Sequence, residues 1–224
     1  MFVKICGITQ VEQGRAIADA MLQHGLAGQC AIGFICVTQS KRYVSAEQIR
    51  PIVLALPKQV QTIGVFVDEQ MERVGDIARR CGLSGVQLHG DESVDYCRGL
   101  RELLPTTKVI KVLRLRQAAG LDRLATYRDV VDAYLIDAYH PQQAGGTGLK
   151  ADWTLLQDFR PQRPWLLAGG LTPENVGEAI AALHPDGVDL SSGVEVQPGI
   201  KDLAKVEHLL QAIVGGTQAK SASV

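Results

Sequence analysis

Eight short apolar, largely β-branched runs recur along the chain, and each is followed by a segment whose apolar residues fall at helical spacing. FVKIC precedes VEQGRAIADAMLQHG, CAIGFIC precedes SAEQIRPIVLALP, TIGVFV precedes EQMERVGDIARRCG, and GVQLHG precedes SVDYCRGLRELLP. KVIKVLRL leads to a helix expected near residues 117 to 128, and AYLIDAY to a Gly-rich loop and a short helix near DWTLLQDF. PWLLAGG leads to TPENVGEAIAAL, and GVDLSS to DLAKVEHLLQAIV. Strands that are apolar almost throughout are covered on both faces, and an intervening helix carries the chain back to a parallel neighbour. Eight such units in 224 residues predict an α/β fold, a single-domain, eight-stranded parallel barrel ringed by helices. An open doubly wound sheet is the competing architecture. It is disfavoured because CGITQ, after the first strand, lacks the glycine pattern of a dinucleotide-binding turn. The barrel is expected over residues 1–214, with the small, polar stretch 215–224 as a disordered tail.

Formal net charge is −1, with both signs scattered. There is thus no basic face for nucleic acid, and the expected partner is a small molecule. No apolar run approaches the ~20 residues that span a bilayer, and no signal-peptide pattern opens the chain. Five cysteines at 6, 30, 36, 81 and 97 are irregularly spaced, which suits free thiols in a cytoplasmic protein and gives no metal-ligand pattern. No metal site is expected, and the weak preference is for a monomer.

In a barrel of this kind the chemistry lies at the carboxyl ends of the strands. There the sequence places Cys6, Asp68, Gln87, His89, Arg114, Asp137, Gly169, Gly170 and the run Asp189 to Gly193. AGG after the seventh strand and SSG after the eighth stand where such barrels often hold a phosphate, making Gly169, Gly170, Ser191, Ser192 and Gly193 its candidate ligands. Each glycine taken singly also suits a tight turn. Asp137 ends a strand roughly across the mouth from Cys6, so a carboxyl and a thiol can divide acid and base work. Capping the next loop is the plainer role for Asp137, and burial in the core the plainer role for Cys6. Arg42, in QSKRYVS, suits a carboxylate ligand or a solvated loop charge. Gln87 and His89 alternate with apolar neighbours and are expected to point into the barrel, His89 as a substrate contact or a structural residue alike. The other four cysteines read as core.

These residues fall within ordered motifs: KICGIT, SKRYVS, GVFV, QLHG, IDAYHP, GGTG, GGLTPENV, and VDLSSGVE with PGIKD. Through them the chain resembles the phosphoribosylanthranilate isomerases from residue 3 to about 214. The resemblance implies a barrel that catalyses, without cofactor or metal, the Amadori rearrangement of N-(5-phosphoribosyl)anthranilate to an aminoketose in tryptophan biosynthesis. It implies Cys6 as general base, Asp137 as general acid and Arg42 as the anthranilate-carboxylate contact; by their strand-end places, Gln87, His89 and Asp189 are also expected at the substrate. An ordinary carboxyl ionises near 3.9 and an ordinary thiol near 8.5, both on the wrong side of neutrality for these tasks, so such a site has to shift them.

The sequence departs from the family pattern in two places. Cys36 stands where an aromatic residue is common and Lys41 where proline is, in a segment longer than usual; Leu149 follows GGTG where lysine is common, with Lys150 next. Other phosphate-binding barrels compete as readings. A metal-dependent epimerase calls for ligand histidines, and indole-glycerol-phosphate synthase for strand-end Lys and Glu, to which Lys4 and Lys111 lend some colour. A non-catalytic sensor barrel is the alternative from another class.

Overall fold

A computed structural model describes residues 1–114, 121, 123–138 and 153–221. Eight parallel strands close on themselves in chain order: β1 (Phe2–Cys6), β2 (Cys30–Ile35), β3 (Val60–Phe66), β4 (Gly85–Leu88), β5 (Lys108–Arg114), β6 (Ala133–Asp137), β7 (Trp165–Ala168) and β8 (Gly187–Leu190). The ring is completed by β8 against β1, Lys4 standing opposite Asp189. Around it lie α1 (Val11–Gln23), α2 (Ala46–Ala55), α3 (Met71–Cys81), α4 (Val94–Leu103), α5 (Val176–Leu183) and α6 (Leu203–Ser221). The eightfold recurrence in the sequence is therefore a closed barrel.

Two units fall only partly within the described residues. Within 117 to 128 the described residues include a 3-10 helix, Arg123–Tyr127, and the DWTLLQDF segment contributes a 3-10 turn at Thr154–Leu156. The last helix continues past position 214 to Ser221, into the stretch that composition marks as a tail. A small antiparallel pair, β9 (Glu195–Gln197) and β10 (Ile200–Lys201), stands between β8 and α6. Among the described residues, no helix is long and apolar enough to cross a membrane, and no cluster of three or more His, Cys, Asp or Glu is placed to hold a metal.

Strand alternation decides what each face holds. Val3 and Ile5 face outward to the helices, in the main apolar layer that also includes Ile17, Met21 and Leu190. Inside the barrel a second, smaller apolar cluster includes Ala31, Ile63, Ile110, Leu135 and Leu166. Lys4, Gln87 and Asp189 are buried polar exceptions. Helix starts are set locally. Ser45 and Gln48 form a reciprocal capping box before α2, and Ser93 accepts from the Tyr96 amide before α4.

A buried carboxylate gathers the loops after β3 and β4. Glu92 accepts from the amides of Asp68 (3.0 Å) and Gly90 (3.1 Å) and from Lys111 Nζ (2.7 Å), and Lys111 also donates to the Gly90 carbonyl (2.6 Å). Lys111 thus faces the loop layer behind the strands. Removing one partner of a buried pair leaves the other charge uncompensated, which costs about 3–5 kcal/mol, whereas replacing both with apolar groups costs far less. Glu92→Ala is accordingly expected to lower the unfolding free energy by about that amount. Glu92→Ala with Lys111→Met should lose less, as read from urea denaturation; equal losses would show that the pair does not act as a unit.

Candidate active site

Cys6 is the last residue of β1, and its inward neighbours on that strand are Phe2 and Lys4. At the carboxyl ends of the strands it lines a cavity of about 340 Å3 together with Arg42, Gln87, His89, Asp137 and Asp189. Gly169, Gly170, Ser191 and Ser192 form another side of the same cavity. Nearly every residue singled out from the sequence therefore meets at one place. The exception within the glycine motifs is Gly193. A side chain there would run into the Leu171 carbonyl, so this glycine lets the β7 and β8 loops pack together and does not line the cavity.

β6 stands three places round the ring from β1, by way of β8 and β7, and is not its diametric neighbour. Asp137 nevertheless borders the cavity that Cys6 borders. Beside it, His89 Nε2 lies 3.4 Å from Asp137 Oδ2, and His89 Nδ1 lies 3.4 Å from Gln87 Nε2. His89 therefore stands between Gln87 and Asp137, with Nδ1 towards the amide and Nε2 towards the carboxyl group. His89 is thus a neighbour of the carboxyl group, a relation that the spacing of QLHG does not reveal.

Two buried acceptors at the cavity, Gln87 Oε1 and Asp189 Oδ1, have no hydrogen-bond partner among the described residues. Buried polar atoms without partners are rare and costly, and here they leave acceptor capacity for a bound hydroxyl or amine. The other Asp189 oxygen accepts from Lys4 Nζ at 2.8 Å. Burial pushes the Asp189 carboxyl up, with Lys4 pulling against it. Burial likewise pushes the Cys6 thiol up, and the Lys4 charge is the largest opposing influence.

Arg42 is held by a residue that the sequence reading did not single out. Its Nε and Nη2 donate to the two oxygens of Glu195 at 2.8 and 2.6 Å. Glu195 also accepts from Lys201 Nζ (2.7 Å) and the Gly199 amide (3.1 Å). Burial works against this carboxylate, yet the hydrogen bonds from Arg42 and Lys201 bring it down to about 2. Lys201 reaches Ser191 as well, and Ser191 Oγ donates to the Cys6 carbonyl at 3.0 Å. Glu195 and Lys201 sit on the β9–β10 pair, whose signal in the sequence is the Pro-Gly turn of EVQPGIK. Gly7, at φ 80°, lets the Arg42 stem pass where a side chain would stand.

Other expectations are redistributed. Asp68 accepts from the Asp91 amide at 2.6 Å and ties two loops together, and Arg114 donates to the His89 carbonyl at 3.1 Å; neither lines the Cys6 cavity. Cys30, Cys36, Cys81 and Cys97 are buried and free and do not line the cavity, the Cys36 thiol pushed up to about 12 by burial. GGTG, Leu149, Lys150 and the YHP of IDAYHP lie outside the described residues.

The family model described as N-(5'phosphoribosyl)anthranilate (PRA) isomerase matches residues 3–212. An N-(5'-phosphoribosyl)anthranilate isomerase of Microcystis aeruginosa is 51% identical over 213 residues, spanning 95% of this chain and 97% of its own. The crystal structure of the Thermotoga maritima phosphoribosyl anthranilate isomerase superposes with a TM-score of 0.83 at 38% identity, covering 96% of this chain and 99% of that one. A crystal structure of such an isomerase in complex with reduced 1-(o-carboxyphenylamino)-1-deoxyribulose 5-phosphate gives a TM-score of 0.78 at 36% identity, with 96% and 99% covered. With a family match over residues 3–212 and a relative 51% identical across nearly its whole length, the chain belongs to the N-(5'-phosphoribosyl)anthranilate isomerase family.

Proposed function

We propose that the Cys6–Asp137 cavity carries out the isomerisation of N-(5-phosphoribosyl)anthranilate to 1-(o-carboxyphenylamino)-1-deoxyribulose 5-phosphate. The observation that carries the assignment is that a thiol and a carboxyl group face one cavity whose remaining walls hold a guanidinium and two glycine-containing loops. Asp137 gives a proton to the furanose ring oxygen and the ring opens to an imine. Cys6, as thiolate, then removes the proton from the sugar carbon next to the former anomeric carbon. The resulting enolamine loses its hydroxyl proton and gains one at the former anomeric carbon, which yields the ketone. One carbon is oxidised and its neighbour reduced within a single molecule, so substrate and product have the same composition.

The surrounding groups suit the three parts of that substrate. Arg42 gives its Nε/Nη2 edge to Glu195, which leaves the edge between its two terminal nitrogens for the anthranilate carboxylate in a second paired contact. Glu195 thereby fixes the plane of the guanidinium. Gln87 Oε1 and Asp189 Oδ1, both without a partner among the described residues, are acceptors for sugar hydroxyls. Gly169, Gly170, Ser191 and Ser192, on the loops after β7 and β8, are the proposed phosphate ligands. Gly193 assists by letting those loops meet.

Single-turnover conversion, followed as loss of anthranilate fluorescence, tests the assignment. Cys6→Ser and Asp137→Asn are each expected to slow turnover by about 10²-fold or more while circular dichroism stays unchanged, the scale of general acid–base catalysis. Variants that are folded and fully active would move the proton transfers to other residues. A wild-type protein that binds the aminoaldose without converting it would replace the enzyme with a sensor.

Arg42→Ala should act on binding, raising KM by about 10- to 100-fold, the worth of a charge-assisted hydrogen bond, with a smaller change in kcat. A kcat loss at unchanged KM would contradict the carboxylate role. The depressed Glu195 carboxyl also sets a pH dependence. A folded value of about 2 against an ordinary 4.5 means that its stabilisation is present above the ordinary value and is lost as pH falls towards the folded one. The stability gap between wild type and Glu195→Gln, from denaturation midpoints, should therefore shrink between pH 5 and pH 3; a gap that is constant or grows on acidification would contradict the pairing.

A further inference from the structure

The proposed reaction uses Cys6 as a base but leaves a buried cation beside it unexplained. Lys4 is fully buried, two residues before Cys6 on the same inward face of β1, and bonded to Asp189 at 2.8 Å. The position where a side chain would stand on Gly33 lies 2.7 Å from Cys6 Sγ and 3.0 Å from Lys4 Cε. The thiol and the end of the lysine side chain therefore come together against the bare backbone of β2. A fully desolvated ammonium is costly, and a single carboxylate partner would suffice to place it at the sheet surface. Placed under the thiol, it has a second anion to serve.

We propose that Lys4 is a positioning residue for the reaction: its buried ammonium, anchored by Asp189, opposes the burial of Cys6 and so favours the thiolate form that removes the substrate proton. The inference rests on the isomerase reading of the site, since only a base needs that charge state. Lys4 touches no substrate and acts through Cys6.

The charged groups around the thiol make the sign of the effect testable. From β1 and β8 come Lys4 and Asp189; from the β9–β10 pair comes Lys201; from the loop after β2 comes Arg42, with the neutral Cys36 thiol nearby; and across the cavity stand His89 and Asp137. Burial raises the Cys6 thiol, Lys4 is the strongest influence in the opposite direction, and Asp189 works with burial. Asp189 therefore has two opposed roles. It holds the lysine in place, and its own charge competes with the thiolate for that lysine.

The experiment is the pH dependence of Cys6 alkylation by iodoacetamide in the absence of substrate, with the site resolved by peptide mass spectrometry and folding checked by thermal melts. Asp189→Asn should shift the Cys6 titration to lower pH than wild type. Adding Lys4→Met to Asp189→Asn should shift it to higher pH than the single variant by ~1 unit or more, the effect of removing an adjacent opposite charge. The ascending limb of kcat/KM against pH should move in the same order. The double variant leaves no buried charge unpaired. Titrations that coincide, or that both move upward, would overturn the role of Lys4. If neither variant folds, the wild-type protein still decides: Cys6 must be the first of the five cysteines to alkylate as pH rises, and a Cys6 no more reactive than Cys36 refutes the inference. Failure of the isomerase reading shows separately, as wild-type protein that does not turn over the aminoaldose whatever its Cys6 titration.

Discussion

The closure of β8 onto β1 is the constraint on which the rest of the molecule depends. It sets Lys4 and Asp189 side by side inside the barrel, one residue level below the mouth, and so places Cys6 directly above a buried ion pair. Strand alternation does the remainder. Because successive side chains point to opposite faces, the register that turns Val3 and Ile5 to the helices also turns Lys4 and Cys6 inward. The apolar layer that stabilises the barrel and the polar set that faces its mouth are consequences of one register.

A second set of interactions works at the rim. Glu195 joins Arg42, Lys201 and the Gly199 amide, and Ser191 joins Lys201 to the carbonyl of Cys6. These bonds link the loop after β2 to the end of β8 across the end of β1. A guanidinium already fixed in its plane by a buried carboxylate meets a ligand with little ordering left to do, which favours binding and orientation alike. Both arrangements place a positive charge close to Cys6.

Much of this was legible in the sequence, and for physical reasons. Apolar runs alternating with helical-period segments can bury themselves only against a parallel sheet, and the residues that interrupt apolarity at strand ends had to face the mouth. Cys6, Asp137, Gln87, His89, Asp189 and the β7 and β8 loop residues all reach the cavity, apart from Gly193. What stayed hidden depends on contacts between distant segments. Nothing near Arg42 in sequence reveals Glu195, 153 positions away. A three-residue strand paired with a two-residue one is too short for periodicity to register. Lys4 drew notice only as a lysine on a strand, since its significance lies in a partner 185 positions on. Asp68 and Arg114 occupy strand ends and still hold loops, because a polar residue at a strand end is as useful to a loop amide or carbonyl as to a ligand.

The central claim is geometric: the thiol and the carboxyl group act on opposite ends of one proton transfer sequence at the same sugar. A crystal structure of this protein with reduced 1-(o-carboxyphenylamino)-1-deoxyribulose 5-phosphate tests it most directly. The account predicts the sugar carbon next to the amine-bearing carbon in contact with Cys6 Sγ, the former ring oxygen within hydrogen-bonding reach of Asp137, and the carboxylate on the free edge of Arg42. A ligand whose sugar carbons lie away from both Cys6 and Asp137, or whose carboxylate and phosphate exchange places, would contradict it.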